Sequence, residues 1–392
     1  MALKQVLLAC GVLLTQSLGH ADAEILYLST IEELQQIGND EDYPLNGSYA
    51  LAGDIDATGT SLWNDGAGFA PLGVYSYFSQ STSFKGTLDG QGHVIIGLTI
   101  NRPDQDFVGL FSYVGNGGTV RNLGIRGGTV TGRFRVGALA ATSDGGIYEN
   151  CFVNASVSGA SLVGGLIGSK GYGSVSRCYA LGEVHGTDRY VGGLVGRNGE
   201  GVSNSVLLDC YSRTTVTGGY EFVGGLVGIN NSILGNSYAA GAVTPDEGAV
   251  SIGGLAGENS GVITAAYWDI EVTGQGHSAG GTGRTTNEMT VPHAPNTYAG
   301  WNFADVWAED TEGALNRGYP FLQAAPPAPA HPADVNEDYH LTMAEAVAYL
   351  AGWQYGMNPM PYAIRAGYLW QRGEYYAYTM GVPPLCWQRP GQ

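Results

Sequence analysis

The chain has 392 residues, 63 of them glycine, with only 13% charged side chains and a formal net charge of −18 from 17 basic and 35 acidic residues. That balance excludes a nucleic-acid partner, because phosphate binding needs clustered Lys and Arg. A His-Glu-x-x-His zinc site, a Gly-x-x-x-x-Gly-Lys phosphate loop and a Cys-x-x-Cys pair are all absent from the sequence. At the N-terminus, Lys4 precedes an apolar stretch, Val6–Leu14, and small residues ending in Ala21-Asp-Ala23. This pattern predicts a secretory signal peptide over 1–23, cleaved after Ala23, and hence a secreted or cell-surface protein. The stretch is too short for a membrane span, and no later apolar run reaches the length of one.

Next, Ser29-Thr-Ile-Glu32-Glu-Leu-Gln-Gln-Ile37 carries a hydroxyl followed three residues later by Glu, which predicts a short capped helix. Placed before a stack of strands, it would cover the open end of the first coil. Tyr49–Asp56 and Phe84–Ile96 read as the first coils. Asp54, Asp56, Asp89 and His93 within them are candidates for acid–base or calcium chemistry on a polysaccharide. Their Asp-Gly and Asp-Ala-Thr-Gly settings favour turns in which the carboxylate accepts backbone hydrogen bonds.

From Phe107 to Gly274 one phrase is restated six times. It opens at Val108-Gly-Leu-Phe, Val136-Gly-Ala-Leu, Val163-Gly-Gly-Leu-Ile-Gly, Val191-Gly-Gly-Leu-Val-Gly, Val223-Gly-Gly-Leu-Val-Gly and Ile252-Gly-Gly-Leu-Ala-Gly, at spacings of 28, 27, 28, 32 and 29 residues. A fixed period of this size marks a solenoid. Each unit offers short β-branched runs cut by Gly, Asn and Ser, enough for two or three strands and their turns. The predicted fold is therefore all-β, a right-handed parallel β-helix, with strands pairing about 4.8 Å apart from coil to coil.

At Gly165-Leu-Ile-Gly168, Gly193-Leu-Val-Gly196, Gly225-Leu-Val-Gly228 and Gly254-Leu-Ala-Gly257 the chain resembles the GLUG-motif family. The family's repeats occur in large bacterial surface and secreted proteins, including regions upstream of IgA-cleaving metallopeptidases. The resemblance spans residues 24–322 and implies a β-helix. It implies no particular activity.

Cys151, Cys178 and Cys210 occupy equivalent places (Asn150-Cys-Phe, Arg177-Cys-Tyr, Asp209-Cys-Tyr), continued by Ser237-Tyr and Ala266-Tyr. They predict a small-residue row inside the coil, with the aromatic neighbours facing the other way. Secretion permits disulfides, but in-register parallel strands suit disulfide geometry poorly, so buried free thiols are expected. Cys386 lies outside the repeats.

Beyond Gly274 the repeat phrase dissolves. Residues 275–322, with Trp301, Trp307 and Tyr319-Pro-Phe-Leu322, are expected to form a C-terminal cap whose aromatics lie across the last open coil. Residues 323–333 are Pro/Ala-rich and predict an extended linker. Residues 334–392 then form a small helical module. In it, Asp334, Asn336, Asp338, His340 (through its carbonyl), Thr342 and Glu345 fall at positions 1, 3, 5, 7, 9 and 12 of an EF-hand-like loop, the oxygen set that calcium takes. Tyr339 stands at position 6, where glycine is favoured. This loop and the following Ala346–Trp353 resemble the first half of a dockerin. That resemblance implies calcium and a cohesin-like or envelope anchoring partner, although the second loop, Met357–Pro361, lacks acids. Trp353, Trp370 and Trp387 are expected to build the module's aromatic core.

Together these features point to a non-enzymatic surface protein that binds an extracellular polysaccharide or a cell-surface protein. A polysaccharide lyase or hydrolase on a coil face and a structural scaffold component are the alternatives.

Overall fold

The computed structural model describes residues 24–75, 82–200, 205–335, 337, 339–371, 375–379 and 382–390. The proposed signal peptide, Asn336 and Asp338 lie outside the described residues.

The repeat forms a parallel β-solenoid, and each coil follows one path. In a central coil a short strand, Ile147–Glu149, leads through Asn150 into an eight-residue strand, Phe152–Gly159. Two four-residue strands follow, Ser161–Gly164 and Ile167–Lys170. The chain then enters the next coil at Ser174–Ser176. Stacking the coils gives a nine-stranded, an eleven-stranded, a five-stranded and a six-stranded sheet. Equivalent residues of the repeat become columns in register. One column runs Phe152, Tyr179, Tyr211, Tyr238, Tyr267 and another Val163, Val191, Val223, Ile252.

The phrase Val-Gly-Gly-Leu-x-Gly has a steric origin. The five- and six-stranded sheets meet backbone against backbone. A Cβ at Gly196 would lie 2.5 Å from the Gly168 carbonyl oxygen and 2.8 Å from that of Tyr190, so no side chain fits. Between the two sheets the chain turns through Leu139, Leu166, Leu194, Leu226 and Leu255, all at most 1% exposed. Even this turn is laddered: the Leu166 N–H donates to the Leu194 carbonyl and that of Leu194 to Leu226, both at 2.9 Å. Burying each leucine contributes roughly 1.5–3 kcal/mol. The corner before the long strand is made by one left-handed residue per coil: Asn122, Asn150, Arg177, Asp209, Asn236 and Ala265 have φ between 45 and 53°.

The core row beside that corner is Cys151, Cys178, Cys210, then Ser237, all fully buried, with the cysteines free. On the opposite side of the same strands the aromatic column stacks, with ring centroids 5.1, 4.6 and 5.0 Å apart from Phe152 to Tyr238.

Helix α1 (Ile31–Gln36) has the expected capping box, from Thr30 and Glu33, and inserts Ile31 and Leu34 into the solenoid core. At the far end the cap departs from expectation. The last coil is closed by residues 275–284 alone: Gly254 donates to the His277 carbonyl, Ala279 to Ala256, and Thr282–Arg284 adds a strand beside Tyr267–Asp269. Two short helices, α2 (Ile270–Thr273) and α3 (Thr286–Met289), flank this strand. The aromatics instead roof the lateral tyrosine column. Tyr298, Trp301, Trp307 and Tyr319 pack on Tyr211, Tyr238 and Tyr267, and Tyr238 donates to the Pro320 carbonyl at 2.8 Å. Left uncovered, the stacked rings would expose a continuous apolar face, which the cover buries.

In the tail, helices α4 (Met343–Gln354) and α5 (Met360–Gln371) pack with a small antiparallel ribbon, Ala377–Tyr378 with Trp387–Gln388. Trp387 is buried and Trp370 partly so, but Trp353 is 39% exposed and lies outside the core it was expected to join. The Pro/Ala-rich segment is held against the tail: Trp387 Nε1 donates to the Pro329 carbonyl at 3.0 Å, and His331 is fully buried.

A lysine lies inside the solenoid. Lys170 is fully buried, in the column that continues through Asn198, Asn230 and Asn259, whose carboxamides hydrogen-bond one another at 2.7 Å. Its Nζ donates to the Gly173 carbonyl and to Ser205 Oγ. Burial lowers its pKa from 10.5 to about 7, with Cys210 acting in the opposite sense. Between these two values the unfolded chain keeps a proton that the folded chain has released, so stability rises with pH across that window and the penalty is full below it. Lys170→Met is therefore expected to raise the melting temperature near neutral pH and to flatten its rise toward about pH 9.5. Scanning calorimetry at the two pH values checks this, and a variant that melts lower at both would contradict it.

Candidate functional site

The acidic residues at the N-terminal corner are used by the fold. Asp56 Oδ1 accepts from the Thr58 N–H and hydroxyl at 3.0 and 2.7 Å. Asp54 Oδ1 accepts from the Val94 N–H at 3.0 Å and lies 3.2 Å from His93 Nδ1. Asp89 accepts from the Gln91 N–H, Asn122 Nδ2 and Arg121 Nε at 2.8–3.0 Å. Burial pushes the Asp89 carboxyl up, but those hydrogen bonds and the Arg121 charge together outweigh it and hold its pKa below the ordinary carboxylate value. The same corner continues as a polar ladder, Asn150 Nδ2 to Asn122 Oδ1 at 2.9 Å and Arg177 Nε to Asn150 Oδ1 at 3.0 Å. These groups fasten one coil to the next.

Two other candidates have structural employment. Trp301 and Trp307 are 7% and 0% exposed and bond through their indole N–H groups to Ala265 O and Asp209 Oδ1, so neither presents a platform for sugars. Gly276-His-Ser-Ala-Gly280 matches a Gly-x-Ser-x-Gly pattern. Its context is wrong for a nucleophile elbow, which sits between a strand and a helix. Ser278 Oγ accepts from the Leu255 and Ala256 N–H groups and closes the last coil.

In the tail loop, Asp334 is 4% exposed, and its Oδ2 accepts from the Tyr339 N–H at 2.8 Å and the Tyr376 hydroxyl at 2.6 Å. Tyr339 has φ 60°, the left-handed turn that position 6 requires, so tyrosine adopts there what glycine would adopt more cheaply. Thr342 caps α4 and forms a capping box with Glu345, whose Oε1 also accepts from the Val335 N–H at 3.1 Å. His340 pairs in an isolated bridge with Tyr375. Among the described residues no group of three His, Cys, Asp or Glu is placed to hold a metal. Asn336 and Asp338, two members of the predicted set, are outside the described residues.

The loop also docks on the solenoid. Asn154 Nδ2 donates to the Glu337 carbonyl at 2.6 Å, and the Glu337 carboxylate lies 3.1 Å from Arg317 and 3.9 Å from Arg213. Arg126 stacks on the Tyr339 ring with its guanidinium carbon 4.6 Å from the centroid. Arg126, Arg213 and Lys170 did not stand out in the sequence. For Arg126 the available signal was a basic residue at a column position that neighbouring coils fill with Ile96, Asn154 and Leu181, and for Lys170 one that they fill with Ser143 and Asn198.

No protein-family profile matches the chain. Over 150 residues, 38% of its length, the chain is 39% identical to halomucin of Haloquadratum walsbyi, a match spanning 2% of that protein. Over 205 residues, 41% of its length, it is 32% identical to a protein of Evansella cellulosilytica provisionally named a Gly-rich membrane protein, spanning 23% of it. The matches thus span less than a quarter of either curated relative. A crystal structure of a Bacteroides ovatus protein provisionally named an immunoglobulin A1 protease shares the fold, with a TM-score of 0.57 at 19% identity over 77% of this chain and 93% of that one. At that identity the likeness is one of fold. Among the described residues, no helix is long and apolar enough to cross a membrane.

Burial governs the thiols. It raises the pKa of Cys178 well above 9 and that of Cys210 to about 12. Cys386, also buried, is raised too, again chiefly by burial. At mildly alkaline pH these three, and the equally buried Cys151, are expected to resist a thiol reagent in the native protein and to react together in guanidinium. A labelling time course with intact mass checks this. Rapid native labelling, or a disulfide among them, would contradict the dry thiol row.

Proposed function

We propose that this chain is a secreted, surface-displayed solenoid of the GLUG-repeat kind that binds an extracellular polysaccharide or a cell-surface protein without cleaving it. The observation that carries the reading is the employment of Asp54, Asp56 and Asp89, which accept hydrogen bonds that hold turns and neighbouring coils instead of converging on a substrate site. The signal-like N-terminus and the fold shared with the Bacteroides ovatus chain support it. The names of the two sequence relatives, a halomucin and a Gly-rich membrane protein, agree with a surface role.

The tail, in this reading, is a dockerin-like attachment module whose loop holds calcium. The left-handed turn at Tyr339, its N–H bond to Asp334 and the placement of Glu345 at the third helical position suit such a loop. Asp334, Asn336, Asp338, the His340 carbonyl, Thr342 and Glu345 would be the ligands, and calcium would supply folding energy to the tail rather than chemistry.

Incubating the mature chain with a panel of polysaccharides, in calcium and in chelator, tests both halves. Retention on at least one polymer without released sugars is expected. Released products that vanish when one coil-face carboxylate is neutralised would overturn the binding reading. Millimolar calcium is expected to raise the melting temperature by several degrees. Glu345→Gln is expected to abolish that shift, and an unchanged shift would remove calcium from the loop.

A further inference from the structure

Between the solenoid and its tail lies a cavity of about 520 Å³. Its size falls within the roughly 300–1,000 Å³ of small-molecule sites. Val94 and Phe152 form its floor on the outer face of the long strands, and Leu315 and the segment Ala324–Pro329 form its wall. Arg126 reaches into it from the strand Gly124–Thr131.

Arg126 is only 7% exposed, and its guanidinium lies 4.6 Å from the Tyr339 ring and 5.6 Å from that of Phe152. Stacking of this kind engages the flat faces of the cation and leaves its five N–H donors pointing outward in the plane. Among the described residues Nε has no hydrogen-bond partner, and the side chain makes no ion pair. Of the described acidic residues on the facing loop, Glu337 gives its carboxylate to Arg317 and Arg213, and Asp334 accepts from Tyr339 and Tyr376. Asn154 Oδ1, adjacent in register, is also unpartnered, but an uncharged carboxamide oxygen supplies no counter-charge, so among the described residues the guanidinium has no anion. A buried guanidinium without an anion is expensive, and its planar fork matches a carboxylate in two parallel hydrogen bonds.

We propose that this cavity binds a small organic monocarboxylate with an apolar body, anchored by Arg126. The walls are mostly alanine, proline, valine, leucine and phenylalanine, with Asn122 and Asn150 already tied to the coil ladder, and suit a hydrocarbon or ring better than a hydroxyl-rich sugar acid. Asp54, on the same lining, disfavours a dianion such as a phosphate ester. The assignment is independent of the surface-binding reading, since polysaccharide retention and occupancy of this cavity involve different ligands.

Calorimetric titration of the mature chain in calcium buffer tests it, with phenylpropanoate as the probe. The neutral phenylpropanol and the sugar acid glucuronate serve as comparisons. Phenylpropanoate is expected to bind, with phenylpropanol and glucuronate each weaker by on the order of tenfold or more. Arg126→Gln is expected to lose binding by a similar factor. Leu315→Trp, which fills the cavity and leaves Arg126 in place, is expected to lose it as well, so the result does not depend on one variant folding. No heat with either acid, tighter binding of glucuronate, or full affinity in both variants would overturn the proposal.

Discussion

The solenoid depends on a place where its chain has no side chains at all. The five- and six-stranded sheets lie so close that a Cβ at Gly196 or Gly228 would fall within 2.5–2.6 Å of a neighbouring coil's carbonyl oxygen. That proximity lets the leucine of each repeat turn inward and lets the two short strands close the coil at its narrow side. The other rows follow from the closure. Once the narrow side is sealed, the corner leading into the long strand carries a small residue inside, filled by Cys151, Cys178, Cys210 and Ser237, and the strand opens with a large flat one outside, filled by Phe152, Tyr179, Tyr211 and Tyr238. The outer rings then require a cover, and the chain from Met289 to Leu322 supplies it.

Whatever repeats could be read from the sequence, because register turns a periodic residue into a column of identical environments. The glycine pairs, the thiol row and its aromatic neighbours were all visible for that reason. So was helix α1, since a capping box is a local pattern. What occurs once was hidden. The aromatics of 298–319 could be recognised as a cover, but only the stacked tyrosines, assembled across coils, show which surface they cover. Residues Thr58–Gly66 form two short 3-10 helices outside the repeat that no periodicity announced. Arg126 and Lys170 are single departures from their columns, and a departure has no meaning until its neighbours in space are known. Trp353 failed as a core residue because helix α4 turns Ala346 and Gly352 inward instead.

The employment of polar groups links structure to role. Carboxylates at the coil corners hold turns, amide side chains tie coil to coil, and tyrosine hydroxyls bind the cover, as in Tyr319 to Asp269 at 2.6 Å. Such a molecule is a solenoid with a docked tail. The tail loop meets the solenoid through Glu337 and Tyr339, so whatever orders that loop also orders the contact with Arg126.

The backbone-contact account is tested most directly by comparing Gly196→Ala with Gly276→Ala in thermal unfolding. A Cβ at Gly276 meets nothing within 4 Å, so its substitution isolates the effect of adding a methyl group elsewhere in the same chain. The account predicts that Gly196→Ala lowers the melting temperature by several degrees or more, the signature of overpacking at about 1–3 kcal/mol, while Gly276→Ala stays near wild type. Equal melting temperatures for the two variants would contradict it.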